Sequence, residues 1–207
     1  MPPVFDPNDH DVFLLRQRWT MVINRYLFSL PTPDGGEGPP VAFVEQKRFK
    51  FKEDIRFYTD ETKQVELLRI KARQRFDPAA RYDITGPGGE KVGEIQKVFG
   101  RSLFRSTYRL YDANGVETCE ARERSLAVAL LRRAVGFVPY IGNYADWLPI
   151  PYHFVFMRGD QVLVNHTRQA WKLTDHYTID CTPDTGRTLD RRLVLAAAVG
   201  MDALQAR

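Results

Sequence analysis

The chain has 207 residues, 43% hydrophobic and 27% charged, the proportions of an ordinary folded domain and not of a disordered one. Its two cysteines, Cys119 and Cys181, exclude a disulfide framework and are read as reduced thiols. The Met-Pro-Pro start carries no apolar signal region, so a cytoplasmic protein is expected. The net charge of +4 is small but unevenly placed. Residues 45–75 hold ten Lys/Arg against six Asp/Glu, an excess equal to that of the whole chain.

In chain order, the first recognisable unit is Asn24 to Leu30, a Pro/Gly-rich loop through Pro40, and Val41 to Val44. The next runs from Ile55 to Asp60 and back over Val65 to Ile70. Arg81 to Thr85 follows, with Gly86-Pro-Gly-Gly-Glu90 and then Val92 to Val98; Thr107 to Asp112 returns through Asn114-Gly115 into Val116 to Ala121. Alternating strands joined by Asn-Gly or Gly-Gly are strong hairpin signals. The unit recurs about every 25 residues, as a β-meander would. Two late copies run from Tyr152 to His166, around Arg158-Gly-Asp160, and from Asp175 to Cys181. Gln-Lys-x-Phe occurs twice after a second strand, at Gln46 and at Gln96.

Residues 122–151 interrupt the meander. Apolar residues at 126, 130, 131, 134 and 135 have helical spacing, with Gly136 as a stop, so a helix is expected around 122–135. At the C-terminus, Leu193 to Met201 is apolar nearly all round and must be buried on every side. It is too short to cross a bilayer, which takes about 20 apolar residues. Six hairpins make about twelve strands, enough to close a sheet around more than side chains. The expected fold is therefore mainly β: a closed antiparallel barrel of about 12 strands enclosing a C-terminal helix over 189–205. Asp190 stands where a carboxylate would cap that helix.

A barrel of this kind resembles the tubby-like C-terminal fold, shared by tubby proteins, phospholipid scramblases and LURP-one-related proteins. The LURP-one-related group is the most similar, in Gly142-Asn143-x-x-x-Trp147, in Trp171-x-Leu173-Thr174-Asp175-x-Tyr177, in the final apolar helix and in the repeated Gln-Lys-x-Phe and Tyr-x-[Ile/Leu]-x-Asp hairpins. The resemblance begins near Val12. It implies an N-terminal tail over 1–11 and a single domain over 12–207, with 122–151 as an insertion. Tubby domains bind phosphoinositides and scramblases act at membranes with calcium, so the resemblance points to a membrane surface without naming an activity. The scramblase calcium segment precedes the terminal helix. Here Asp180, Asp184 and Asp190 lie in that region, but Arg187 intrudes and the order differs. A polar turn ending in a helix cap is expected there, and no metal site.

Two surfaces are candidates for contact. Arg48, Lys50 and Lys52 (with Lys47 beside them) and Arg69, Lys71, Arg73 and Arg75 are spaced two apart, so on strands each set shares one face. Neighbouring strands would merge them into a basic patch that attracts anionic lipid at about 1 kcal/mol per cation. The plainer alternative is a charged outer barrel wall. The second surface is the insertion, where Leu130, Arg132, Arg133, Phe137 and Tyr140 form a basic, amphipathic and aromatic stretch suited to a membrane or a protein partner. Nucleic acid is disfavoured, because Phe49 and Phe51 alternate as core residues do.

Catalysis is not expected. No nucleophile elbow is present, and the four histidines lack metal-ligand spacing and read as satisfied structural residues. The expected protein is a non-enzymatic, cofactor-free barrel, cytoplasmic or peripheral to a membrane without a transmembrane span. It would bind anionic phospholipid or phosphoinositide headgroups or, alternatively, serve as a protein-interaction scaffold through the insertion.

Overall fold

A computed structural model of the chain describes residues 5–19, 23–47, 54–73, 81–98, 106–124, 153–169 and 175–205. Twelve strands are found there. They are β1 (Val12–Trp19), β2 (Ile23–Pro31), β3 (Glu37–Lys47), β4 (Asp54–Tyr58), β5 (Glu66–Ala72) and β6 (Arg81–Thr85), then β7 (Lys91–Lys97), β8 (Thr107–Asp112), β9 (Glu117–Glu123), β10 (Phe154–Arg158), β11 (Gln161–Arg168) and β12 (Asp175–Asp180). Each pairs antiparallel with its neighbours in sequence, and β1 pairs with β12 to close the barrel. One helix, α1 (Arg191–Gln205), follows the last strand.

Alternation builds the wall. In β4, Ile55 and Phe57 are buried while Asp54 and Arg56 are exposed; in β5, Leu68 and Ile70 are buried and Lys71 is exposed. Side chains that point inward meet α1, whose residues Leu193 to Val199 and Met201 are all at most 1% exposed. A helix inside a closed barrel has no solvent face, which is why this one is written almost wholly in Leu, Val and Ala. The fit is close at Gly93 of β7, where a Cβ would stand 2.4 Å from the Tyr111 carbonyl oxygen and 3.3 Å from a Leu193 methyl carbon. Glycine there lets β8 and the helix approach the same backbone. The hairpin turns use positive φ at Gly89 and Gly115, as Gly-Gly and Asn-Gly turns require.

Three readings change. The strand before the first recognised hairpin, β1, supplies the twelfth member of the barrel; the unit at 175–181 is a lone strand that pairs with it. β3 begins at Glu37, taking Pro39 and Pro40 into a strand where a loop was expected. Their missing N–H groups coincide with register shifts opposite Ser29. The helix expected from Arg122 does not start there. β9 runs through Glu123, with Arg122 opposite both Thr107 and Val155. The remainder of that expected helix lies outside the described residues. Helical spacing of apolar residues therefore overreached its N-terminus, since strand pairing on both sides claimed Arg122 and Glu123.

Candidate interaction surface at one end of the barrel

Because neighbours run antiparallel, the strand ends form two sets. At one end, called the turn end, lie the short connections 32–36, 59–65, 86–90, 113–116 and 159–160, the segment 181–190 leading into α1, and the start of β1. At the other, called the loop end, are the strand ends leading into 20–22, 48–53, 73–80, 98–106, 124–153 and 169–174. The helix starts at the turn end and runs towards the loop end, where Ala198 and Met201 come beside Gln17, His166 and Tyr177.

Charge divides the same way. The turn-end segments, with residues 5–11, contain Asp6, Asp9, Asp11, Asp34, Asp60, Glu61, Glu90, Asp160, Asp184 and Asp190 against Lys63 and Arg187. The loop-end connecting segments contain eleven Lys/Arg against Glu53, Asp77 and Asp146. In sequence, the segments that join strands at the loop end are therefore basic and those at the turn end acidic, while the net charge of the chain is only +4.

Of the two basic sets, Arg69 and Lys71 lie on the outer face of β5 and Arg73 just beyond it. Lys47 ends β3; its side chain, together with Arg48, Lys50, Lys52 and Arg75, lies outside the described residues. The two sets are not on adjacent strands, because β4 stands between β3 and β5. β4 brings a carboxylate with it. Asp54 receives two hydrogen bonds from Arg69, one of 2.6 Å, and one from Arg56 at 3.3 Å. Burial works against ionisation of Asp54, but these guanidinium bonds outweigh it and hold the carboxyl below its usual range. Arg73 bonds Asp83 at 2.6 Å and Glu94 at 2.6 Å, and Glu94 also takes Lys91 at 2.6 Å. Glu94 is pushed up by burial and pulled down further by Lys91 and Arg73, so it stays ionised. Arg81 lies 3.6 Å from Glu94, its guanidinium 5.5 Å from the Tyr111 ring centroid.

The outer wall over β4–β7 is thus an ion-pair lattice. Only Lys71 among its cations is exposed with no ion pair to a described residue. The charged-wall alternative accounts for Arg69 and Arg73; the unbalanced positive charge of the sequence falls in the loop-end connecting segments. Leu130, Arg132, Arg133, Phe137 and Tyr140 lie outside the described residues. Their segment nevertheless joins β9 to β10, so both candidate surfaces connect strand ends on the same side of the barrel. Sequence spacing alone had treated them as unrelated.

The turn end is held differently. Arg191, 1% exposed, bonds Asp184 at 2.7 Å, the Leu189 carbonyl at 3.0 Å and Asp11 at 2.8 Å. Asp184 also accepts from the backbone N–H of Thr188 and Leu189. Burial raises its carboxyl, but Arg191 and these amides win and bring it to about 2. Asp190 accepts from the Arg192 amide at 2.9 Å, the cap expected of it. Asp180 closes a local turn on Thr182, and Arg187 reaches Asp11 and the Asn8 carbonyl. Each carboxylate of the segment compared with the scramblase calcium region is thus engaged by protein donors. The tail folds back onto the helix: Pro7–Asp9 forms a 3-10 turn, and Asn8 Oδ1 accepts from the Arg191 amide at 2.8 Å.

Cys119 and Cys181 are buried, which pushes both thiols up to about 12, so neither is a thiolate at neutral pH. No helix among the described residues is long and apolar enough to cross a membrane.

A comparison with curated proteins finds no match. A family model described as LURP-one-related matches residues 41–202. That span begins within β3 and runs through nearly all of the enclosed helix, covering the ion-pair wall, both candidate surfaces and the Asp184–Arg191 pair. With a twelve-stranded antiparallel barrel closed around a buried C-terminal helix, the chain belongs to the LURP-one-related family.

Proposed function

We propose that the protein is a non-enzymatic barrel that docks its loop end on an anionic phospholipid surface, the turn end facing away. The observation that carries this reading is the division of sequence charge between the segments that connect strands at the two ends. A negatively charged surface attracts the loop end and repels the turn end, so the field orients the molecule before contact. Polybasic segments gain about 1 kcal/mol per cation near such a surface, and several together make a useful, salt-sensitive affinity. Lys71 is the exposed cation of the described wall without an ion pair to a described residue, Lys47 ends β3, and Arg48, Lys50, Lys52 and Arg75 belong to the connections that follow β3 and β5. Arg69 and Arg73 support the surface by binding Asp54, Asp83 and Glu94 instead of offering free charge. The stretch containing Leu130, Arg132, Arg133, Phe137 and Tyr140, reached from the same end, adds apolar and aromatic side chains suited to the headgroup layer.

The test is co-sedimentation with phosphatidylcholine vesicles, alone or carrying phosphatidylserine or a phosphoinositide, at low and physiological salt. Binding is expected only to the anionic vesicles, weakening as salt rises and independent of calcium. Reversal of Lys50, Lys52, Lys71 and Arg75 to Glu should abolish it. Absence of binding to every vesicle would end the lipid reading and favour a protein partner for the same end. Binding that survives the four reversals would remove this surface from it.

A further inference from the structure

Residues 5–11 lie against the start of α1 at the turn end. Within them only Pro7 is buried; Phe5, Asn8, His10 and Asp11 are half-buried, and Asp6 and Asp9 are exposed. Two kinds of contact hold the segment down. The Phe5 ring stacks on His10 at 5.5 Å between centroids, and His10 meets Phe13 edge-on at 6.4 Å. The rest is polar. Arg187, its side chain 45% exposed, donates to Asp11 at 2.7 Å and to the Asn8 carbonyl. Arg191 donates to Asp11 at 2.8 Å, and its amide to Asn8 Oδ1 at 2.8 Å. Ion pairs open to water contribute little each. A segment with few buried apolar contacts opens at a smaller free energy than the core beside it. That core begins at once, since Phe13 and Ile179 face each other across β1 and β12 at 0% exposure.

Beside the segment sits a thiol. Cys181 follows β12, its amide donates to the Asp11 carbonyl at 2.7 Å, and its side chain is fully buried. Burial pushes the thiol up to about 12; Arg191 pulls it down while Asp11, Asp180 and Asp184 push it up. Lifting the segment would remove part of the burial and the Asp11 carboxylate, and leave Arg191 near the sulfur. Both changes favour the thiolate, the reactive form of a cysteine. Cys119 offers a comparison within the same chain. It lies mid-strand in β9, opposite Leu110 and 2% exposed, so reaching it requires the wall to come apart.

We infer that residues 5–11 form a latch that opens without unfolding of the barrel, and that its opening exposes Cys181 to thiol-reactive electrophiles. Closed, the latch keeps the thiol inert; open, it presents the sulfur beside a guanidinium. The strand pairing that closes the barrel is not disturbed, because it begins at Val12 opposite Asp180.

The test is alkylation of the folded, full-length protein by N-ethylmaleimide at a series of urea concentrations below the unfolding transition. Mass spectrometry of proteolytic fragments reads each cysteine separately. The sulfur adds to one carbon of the maleimide double bond, and the thiol proton ends on the other. Cys181 is expected to react faster than Cys119, at a rate nearly flat in urea, because a local opening exposes little surface. Cys119 should react only as the transition approaches. Arg187→Gly removes two polar bonds from the latch and leaves the backbone unstrained, since Arg187 has a φ of 48°. It should speed Cys181 relative to Cys119 by about tenfold, as the loss of a charge-assisted hydrogen bond does. Should that variant fail to fold, Phe5→Ala, which removes the ring on His10, is read in the same way. Equal rates at the two cysteines with one urea dependence, or a Cys181 rate unmoved in a folded variant, would overturn the latch.

Discussion

The two ends of this barrel solve opposite problems with the same kinds of side chain. At the turn end, acidic residues meet backbone amides and one buried arginine: Asp184 and Asp11 hold Arg191, Asp190 caps α1, and the 3-10 turn at Pro7–Asp9 closes over the helix start. Around the helix start charge is consumed internally, and its yield is stability. At the loop end the connections carry basic residues in excess, the strand interiors hold Gln17, Tyr26 and His166, and Ala198 and Met201 of α1 come beside them. Among the described residues there, neither ring nitrogen of His166 has a hydrogen-bond partner. The helix macrodipole agrees at the turn end, where its positive N-terminus lies among carboxylates.

The sharpest way to break the contrast is Arg191→Met, which leaves Asp184 buried without its cation. A loss of about 3–5 kcal/mol is expected, read as a lower urea midpoint. The same measurement on Arg69→Ala, on the exposed wall, should give less than about 1 kcal/mol. If the two variants were equally destabilised, the turn end would not be the anchor. Leu193→Ala, on the first turn of α1 against Gly93, should cost about 2–5 kcal/mol by leaving a cavity that a closed barrel cannot collapse.

Acid separates the ends by pH window. Burial, with a smaller contribution from His153, lowers the His166 imidazole to about 4 from its ordinary 6.5. Between those values the unfolded chain binds a proton that the folded chain refuses. Stability should therefore fall as the pH drops from about 6.5 to 4, by up to about 3 kcal/mol. Urea titrations at several pH values would show that slope, and His166→Phe should flatten it. Asp184, at about 2 against 3.8, acts lower down: its contribution is intact above pH 3.8 and is lost as the pH falls through about 2. Removing Arg191 should weaken this second phase and leave the first in place. The smallest expected effect is Lys71→Glu alone. It should weaken binding to anionic vesicles by a few fold at low salt and leave the urea midpoint unchanged, since Lys71 makes no ion pair with a described residue.

Much of the architecture was legible because it rests on local signals. Alternation with Asn-Gly and Gly-Gly turns located most strands, and an apolar run without a polar face could only be a buried helix. β1 was harder, since Val12 to Trp19 lacks a hairpin turn to its partner β12, which comes more than 150 residues later. Pro39 and Pro40 disguised the start of β3, and helical spacing disguised the end of β9. In the candidate site, the period-two spacing of Arg69 and Lys71 correctly put both outside the barrel. It did not show that Asp54, Asp83 and Glu94 would neutralise the arginines, because those carboxylates arrive from other strands. His166 had no sequence signal at all. A histidine in an alternating strand looks the same whether its ring finds a protein partner or not.

The sequence by itself determined the barrel, its approximate strand number, the burial of α1, the capping role of Asp190 and the family resemblance, all of which follow from periodicity, turn chemistry and motif order within short windows. Only the tertiary structure decided which charges cancel, that the basic set and the insertion connect strand ends on the same side, that the N-terminal tail locks the helix start through Asp11 and Asn8, and that His166 is buried between Phe154 and Tyr177. These depend on which strand lies beside which around a closed ring, and closure joins residues whose separation along the chain carries no local trace of their contact.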